Sequence, residues 1–265
     1  MPEAEAVLWR EAAALLYAAR RDIQPLSALP GGLRPATARD AYAIQAALFE
    51  QSGAHLAGFK IGCSSQAAQD YLATDGPFYG CMSHQSVHES PAELSARRFN
   101  FRLMEPEFAF RLGADLPARS QAYGRDEVAG AVASLHPAFE VVTSAFGEAW
   151  TGAGALSLTA DNGVHGAFIL GPGRQDWRGL DLAAHRVTLH RNGKEEGEGV
   201  GANALGHPLA ALAWLAGQGV LRGRGLKAGD LVTTGVVTPF IYVEAGDEVR
   251  ADFGELGQVE LRFTP

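Results

Sequence analysis

The feature that most limits what this chain can become is a change of texture at residue 56. Before it, apolar positions in residues 3–20 and 37–51 recur every three or four residues, the spacing of a helix with one buried face, and "IQPLSALPGGLRP" separates the two stretches. Thr37 precedes "ARDAYAIQAALFE", and Asp40 three positions on gives it the form of a capping box. From "HLAGFKIG" onward the pattern becomes short β-type runs, at 56–62, 103–112, 138–145, 164–170, 185–191, 196–201, 230–234, 240–244, 247–252 and 257–263. The "NG" at 192–193 marks a hairpin, because both central residues of that turn take positive φ. Two helices interrupt the series, at about 126–134 and at 207–219, the second with proline in its first turn and glycine at its end. With 32 glycines scattered among short strands, a bent or rolled sheet is favoured over a doubly wound parallel one. The expected class is α+β, with an N-terminal helical region at 1–55 and a β-rich domain at 56–265.

At 47% hydrophobic and 20% charged, 265 residues suffice for one large core, or a core with a smaller appendage. The N-terminus mixes acidic and basic residues at helical spacing, and no apolar run approaches the length of a membrane span, so a soluble cytoplasmic protein is expected. A net charge of −8, without a basic block, argues against nucleic acid and anionic membrane and for a small-molecule ligand. The two cysteines, Cys63 and Cys81, cannot form a thiolate cage and are read as packing residues.

Within the β-type part, "MEPEFAF" projects Glu105 and Glu107 from one face of a strand. Two carboxylates roughly 4 Å apart repel by about 4 kcal/mol at an effective dielectric near 20, so they need open water, shared protonation or a cation. "HPAFEVV" places Glu140 in a second, strongly apolar strand, where an unpartnered carboxylate is costly. Either the first two decorate a solvent-facing strand and the third makes an isolated internal hydrogen bond, or all three meet around a hard divalent ion. Lys60, alone in "LAGFKIG", either snorkels to the surface or acts as a proton carrier or anion clamp. "TADNGVHGAFILG" puts Asp161, Asn162 and His165 in a glycine-bearing turn, which is ordinary turn chemistry as well.

Taken together, "GFKIGCSSQAAQDYLATDGPFYG", "MEPEFAFRLGADLP", "HPAFEVVTSAF", "TADNGVHGAFILG", "GVGANALGHPLAALAWLA", "LKAGDLVTTGVVTP" and "VEAGDEVRADFGELGQVELRF" resemble, in order and spacing, the 2-keto-4-pentenoate hydratase and 4-oxalocrotonate decarboxylase group of the fumarylacetoacetate hydrolase superfamily. The resemblance implies a mixed β-roll with an N-terminal helical region, a Mg²⁺ or Mn²⁺ ion, and homo-oligomers. It implies Glu105, Glu107 and Glu140 as metal ligands, Lys60 as the active-site lysine, and Leu103 and Thr238 as pocket residues.

Departures from the group's pattern bear on activity. Where its hydratases carry an aspartate, this chain has Phe78, and Phe78-Tyr79 is closer to the form of the decarboxylases, so both residues are expected to face substrate. Val164 and His165 replace small hydroxyl residues, which makes His165 a candidate for the missing acid or base and leaves Asn162 as a substrate contact. The leading expectation is hydration of a 2-oxo or 2-hydroxydienoic acid through a metal-stabilised enolate. Decarboxylation of a 2-oxo acid comes second, and acylpyruvate hydrolysis third, on the strength of His84, His88 and Glu89. A binding protein that kept the fold without catalysis is the alternative from another class.

Overall fold

Two prolines in the longest strands show how the main sheet is built. The computed structural model describes residues 3–265. Its helices are α1 (Glu3–Arg21), α2 (Ala38–Gln51), α3 (Gln66–Leu72), α4 (Arg125–Ala131), α5 (Ala155–Ala160), α6 (Pro208–Ala216) and α7 (Val220–Gly223). The strands are β1 (Leu56–Gly62), β2 (Phe78–Ser83), β3 (Val87–Glu89), β4 (Ala92–Ser95), β5 (Leu103–Leu112), β6 (Val132–Val142), β7 (His165–Leu170), β8 (Arg186–Arg191), β9 (Lys194–Val200), β10 (Leu231–Thr233), β11 (Ile241–Tyr242), β12 (Glu248–Asp252) and β13 (Gln258–Thr264). One sheet has the order β2-β1-β10-β5-β6-β7-β3, with β11 also paired to β5, and the other runs β4-β13-β12-β8-β9. Both are mixed, with parallel pairs β1/β10, β3/β7 and β4/β13.

Proline cannot donate to a ladder, so it needs a place where the neighbouring strand is interrupted. Pro106 lies between the stretch of β5 paired to β10 and the stretch paired to β11, and its carbonyl accepts from Val237 of the intervening loop. Pro137 stands at the end of β7, where its carbonyl accepts from Gly171. The gap beside Pro106 is what opens the sheet: residues 234–240 leave the ladder there and form one wall of a cavity.

The main sheet has two different faces, as a period of two requires. Phe59, Met104, Phe108, Phe110, Phe139 and Ile169 form one face and pack with Val187, Leu189, Val249 and Phe263 of the second sheet into the largest core. Phe108 sits edge-on to Phe253 at 5.2 Å, and truncating such a residue to alanine costs about 3–5 kcal/mol. The opposite face carries Lys60, Glu105, Glu107 and Glu140. Against its edge, Leu103, Val142 and Phe146 share a separate apolar cluster with Trp9, Leu16 and Ile44 of α1 and α2. Arg20 ties α1 to this body, its Nε donating to Asp161 at 2.5 Å and its other nitrogens to the carbonyls of Asp161, His165 and Thr143.

Most expected elements occur, with shifts that have local causes. Thr37 and Asp40 form the capping box, and Asn192 and Gly193 both take positive φ in the β8–β9 turn. The helix expected at 126–134 ends at Ala131, and the strand expected at 138–145 begins at Val132 and ends at Val142. Its backbone bonds to β5 start as soon as the chain reaches the sheet, overriding the weak helical preference of "AVAS". Strands β2, β3 and β4 and the short helices α3 and α5 were not expected. Among the described residues no helix is long and apolar enough to cross a membrane.

Candidate active site

β5 and β6 run antiparallel in a register that sets Glu105 directly opposite Glu140, with Glu107 two residues further along the same face. Lys60 enters from β1 on the same side of the sheet and is 1% exposed. It is separated from β5 by β10, which stops at Thr233 and thereby leaves the space between them open. Among the described residues no carboxylate lies within 4.0 Å of its ammonium. Glu107 and Glu140 are fully buried, whereas Glu105 reaches a cavity of about 340 Å³ that Lys60 also lines.

Burial pushes the Glu105 carboxyl up to about 7, with the Lys60 ammonium pulling against it and Glu140 adding to it. Glu107 is held well above the usual carboxylate range by burial and then by Glu105 and Glu140, against the pull of Lys60. The physical meaning is that this face holds more negative charge than it can stabilise. Three ionised carboxylates and one ammonium leave two uncompensated charges. Backbone supplies part of the remedy: Gly235 N donates to Glu107 Oε2 at 2.7 Å. Gly235 has φ +92°, and a Cβ there would lie 1.9 Å from Ser64 Oγ, so this close approach requires glycine. Among the described residues, Glu107 Oε1 and Ser64 Oγ are buried without a hydrogen-bond partner.

Glu140 faces two ways. Its carboxylate oxygens lie 2.9 and 3.0 Å from His165 Nδ1, while His165 Nε2 is 2.8 Å from Ser86 Oγ. Ser86 in turn donates to Ser83 O and accepts from Ser83 N within the β2–β3 turn. The imidazole is therefore fixed at both nitrogens behind Glu140. Among the described residues no three His, Cys, Asp or Glu groups already stand at ligand spacing around a common point.

The structure sorts the expected site residues into two groups. Lys60, Glu105, Phe78, Leu103 and Thr238 line the one cavity. Tyr79 does not: it follows Phe78 in β2, so alternation turns it to the other face, where it stacks on Tyr42 at 4.3 Å and meets Phe59 edge-on. Asn162 does not either, because its amide bridges β2, accepting from Cys81 N at 2.8 Å and donating to Cys81 O at 2.9 Å. That bridge needs Gly80, where a Cβ would stand 2.1 Å from Asn162 O. His165 and Asn162 border a different cavity, beneath α1 and α2, so His165 is corrected from a substrate-facing acid or base to a support for Glu140. Asp161 is likewise structural, accepting from Arg20, Ser144 and Ala145 N. His84, His88 and Glu89 lie outside the cavity lining, the last two on β3. Cys63 packs at the cavity wall, its thiol pushed up to about 12 by burial, and Cys81 belongs to the main core.

Sequence reasoning missed Ser86, Gly235 and the aromatic walls Tyr71, Trp150 and Phe240. Gly235 and Phe240 lie within "TTGVVTPF", which also holds Thr238, and Tyr71 lies within "GFKIGCSSQAAQDYLATDGPFYG".

Residues 51–264 match the family model of the fumarylacetoacetate (FAA) hydrolase C-terminal region. The chain is 32% identical to a 2-hydroxyhexa-2,4-dienoate hydratase of Comamonas testosteroni, over 94% of this chain and 95% of that protein. It is 31% identical to a 2-keto-4-pentenoate hydratase of Paraburkholderia xenovorans (strain LB400), over 96% and 94% of the two chains. Among solved structures it is similar to a 4-oxalocrotonate decarboxylase from Pseudomonas putida G7, complexed with magnesium and adipate, with TM-score 0.88 and 25% identity over 99% of this chain and 98% of that one. A fumarylpyruvate hydrolase from Pseudomonas aeruginosa, complexed with Mn²⁺ and pyruvate, shares the fold at TM-score 0.59 and 14% identity, over 78% of this chain and 88% of that one.

Proposed function

The chain belongs to the fumarylacetoacetate hydrolase C-terminal family, and from that premise we propose that it is a metal-dependent hydro-lyase adding water to a 2-hydroxy-2,4-dienoic acid such as 2-hydroxypenta-2,4-dienoate. The observation that carries this reading is that Lys60 and Glu105 line one end of a mostly apolar cavity, while Glu107 and Glu140 lie buried on the same face of the sheet beside Glu105.

The residues present fit a divalent cation. Their donors are oxygens, their uncompensated charge is that of a doubly charged ion, and Glu107 Oε1 is a buried acceptor without a hydrogen-bond partner among the described residues. Glu105, Glu107 and Glu140 would hold Mg²⁺ or Mn²⁺, with His165 orienting Glu140. Such an ion, when bound, supplies Lewis acidity that polarises a 2-oxo group and stabilises negative charge developing beside it.

The chain's own groups account for the remaining requirements. Lys60 faces the substrate's carboxylate inside walls that exclude water, where an ammonium attracts an anion far more strongly than in solution. As an ammonium it would give one proton to the terminal carbon and be restored by the proton that leaves the dienol hydroxyl, after which water adds at the carbon once removed from the enone carbonyl. Leu103, Phe78 and Thr238 hold the carbon chain in line with Lys60. Assembly into homo-oligomers in the cytoplasm completes the reading, and light scattering and cell fractionation test those two points.

Incubation of the Mg²⁺-loaded protein with 2-hydroxypenta-2,4-dienoate should abolish the dienol absorbance with formation of a 4-hydroxy-2-oxo acid, and Glu107→Gln should stop it. Persistence of the absorbance across a panel of dienols would overturn the proposal. A second reading, decarboxylation of a 2-oxo acid, is favoured by Phe78, which puts a ring with no proton to give where an acid is expected. Release of carbon dioxide instead of uptake of water decides between them.

A further inference from the structure

Lys60 stands at one end of the 340 Å³ cavity, and among the described residues no other lysine, arginine or histidine lines it. Beyond Lys60 and Glu105 the walls are mostly apolar, with Leu72, Phe78, Val142, Trp150, Val164 and Phe240 among them, and the hydroxyls of Ser65 and Thr238 add uncharged polar groups but no cation. Phe78 is wedged in place, since a Cβ on Gly62 would come within 2.7 Å of its ring. The apolar character continues to the rim. Tyr71 and Phe240 line the cavity and yet are 61% and 42% exposed, and Tyr242, 46% exposed, stands edge-on to Phe240. Exposed large apolar side chains gathered at a cavity mouth mark a surface that a ligand covers.

Resting on the hydratase reading above, we propose that this cavity selects a monocarboxylic dienol whose far end is uncharged, apolar and at least three carbons longer than the five-carbon parent, and that Phe78, Trp150 and Phe240 set that preference. A second carboxylate at the far end would be buried among Leu72, Val164 and Trp150 with no cation to pair it, which is strongly unfavourable. An alkyl or phenyl tail would instead cover the aromatic wall and rim, gaining with each methylene it removes from water. The volume agrees, because it falls in the range of pockets that enclose ligands larger than an eight-heavy-atom acid.

The test measures kcat/KM for 2-hydroxy-2,4-dienoates ending in hydrogen, methyl, propyl, phenyl or carboxylate. Alongside it, calorimetry in Mg²⁺ follows binding of saturated 2-oxo acids with the same ends. Both quantities should rise roughly three- to fourfold per added methylene up to the propyl end, with the carboxylate end at least about a hundredfold below the methyl end. Phe240→Ala should flatten the rise, and Leu72→Arg should bring the carboxylate end up relative to the propyl end. A flat or falling series, or a carboxylate end equal to the methyl end, overturns the proposal even where the five-carbon dienol is hydrated, which leaves the hydratase reading standing. The reverse pattern, no turnover of any dienol but tail-dependent binding of the oxo acids, sinks the hydratase reading and supports the selectivity.

Discussion

The same spacing of two glutamates occurs in two strands of this molecule and does different things. In β9, Glu196 and Glu198 alternate with glycines on the second sheet, where Glu196 pairs with Arg191 at 3.0 Å and Glu198 with Arg186 of β8. In β5, Glu105 and Glu107 alternate with proline and phenylalanine on the main sheet, opposite a third carboxylate and without a salt bridge among the described residues. The local pattern is equal and the surroundings are opposite. In β9 the strand next door supplies arginines and water screens what remains, so the charges decorate. In β5 the strand next door supplies Glu140 and the second sheet covers the reverse face, so the charges demand a counter-ion. The register of the partner strand separates the two motifs, setting a third carboxylate beside one and arginines beside the other.

The sharpest way to break this comparison is to neutralise one residue in each strand. Lys60→Met or Glu107→Gln should lower kcat/KM on the dienol by about 10²–10³ or more, whereas Glu198→Gln should leave it within about twofold. Equal effects from the two strands would remove the distinction. Next comes the support of Glu140. His165→Ala should weaken Mg²⁺ binding by about 10- to 100-fold in a calorimetric titration, and Arg191→Ala, its counterpart beside Glu196, should leave it unchanged.

A smaller effect lies in the pH dependence of stability. Glu105 and Glu107 hold protons in the metal-free fold at pH values where the unfolded chain has released them. Folding stability therefore falls as pH rises from the ordinary carboxylate range toward about 7 and beyond, by about 1–3 kcal/mol in urea melts. Saturating Mg²⁺ should flatten this slope, and Glu105→Gln should reduce it. A slope of opposite sign in the metal-free protein would contradict the burial of those carboxylates. The smallest effect is expected on the exposed sheet: Arg186→Ala should change stability by no more than about 1 kcal/mol.

How far the molecule was legible in its sequence follows the same division between local and remote information. β5 was read with its true limits, and so were the Thr37 cap and the β8–β9 turn, because each is written in adjacent residues. Strand β2 was missed, since "GPFYGCMSHQS" carries turn residues at both ends and gains its strand character from pairing with β1. Helices α3 and α5 span seven and six residues, too few for a period to show. At the site, Lys60 and the three glutamates stood out as charges inside apolar runs, which is a local signal. The misplacement of Tyr79 came from treating Phe78-Tyr79 as a unit, although strand alternation separates their faces. His165 was assigned a role by its chemistry alone, while its position depends on Glu140, 25 residues away, and on Ser86, 79 away. Ser86 and Gly235 act through a hydroxyl and a backbone N–H, and nothing adjacent to them in the chain announces it.

The central claim is that β5 and β6 together hold one divalent cation and β9 holds none. Titration of Mn²⁺ into the metal-free protein, with free ion counted by electron paramagnetic resonance, tests it directly across wild type, Glu107→Gln, Glu140→Gln and Glu196→Gln. One site per chain is predicted in wild type and Glu196→Gln, with affinity at least about tenfold weaker in the other two. Equal affinity in all four proteins, or a loss confined to Glu196→Gln, would contradict it.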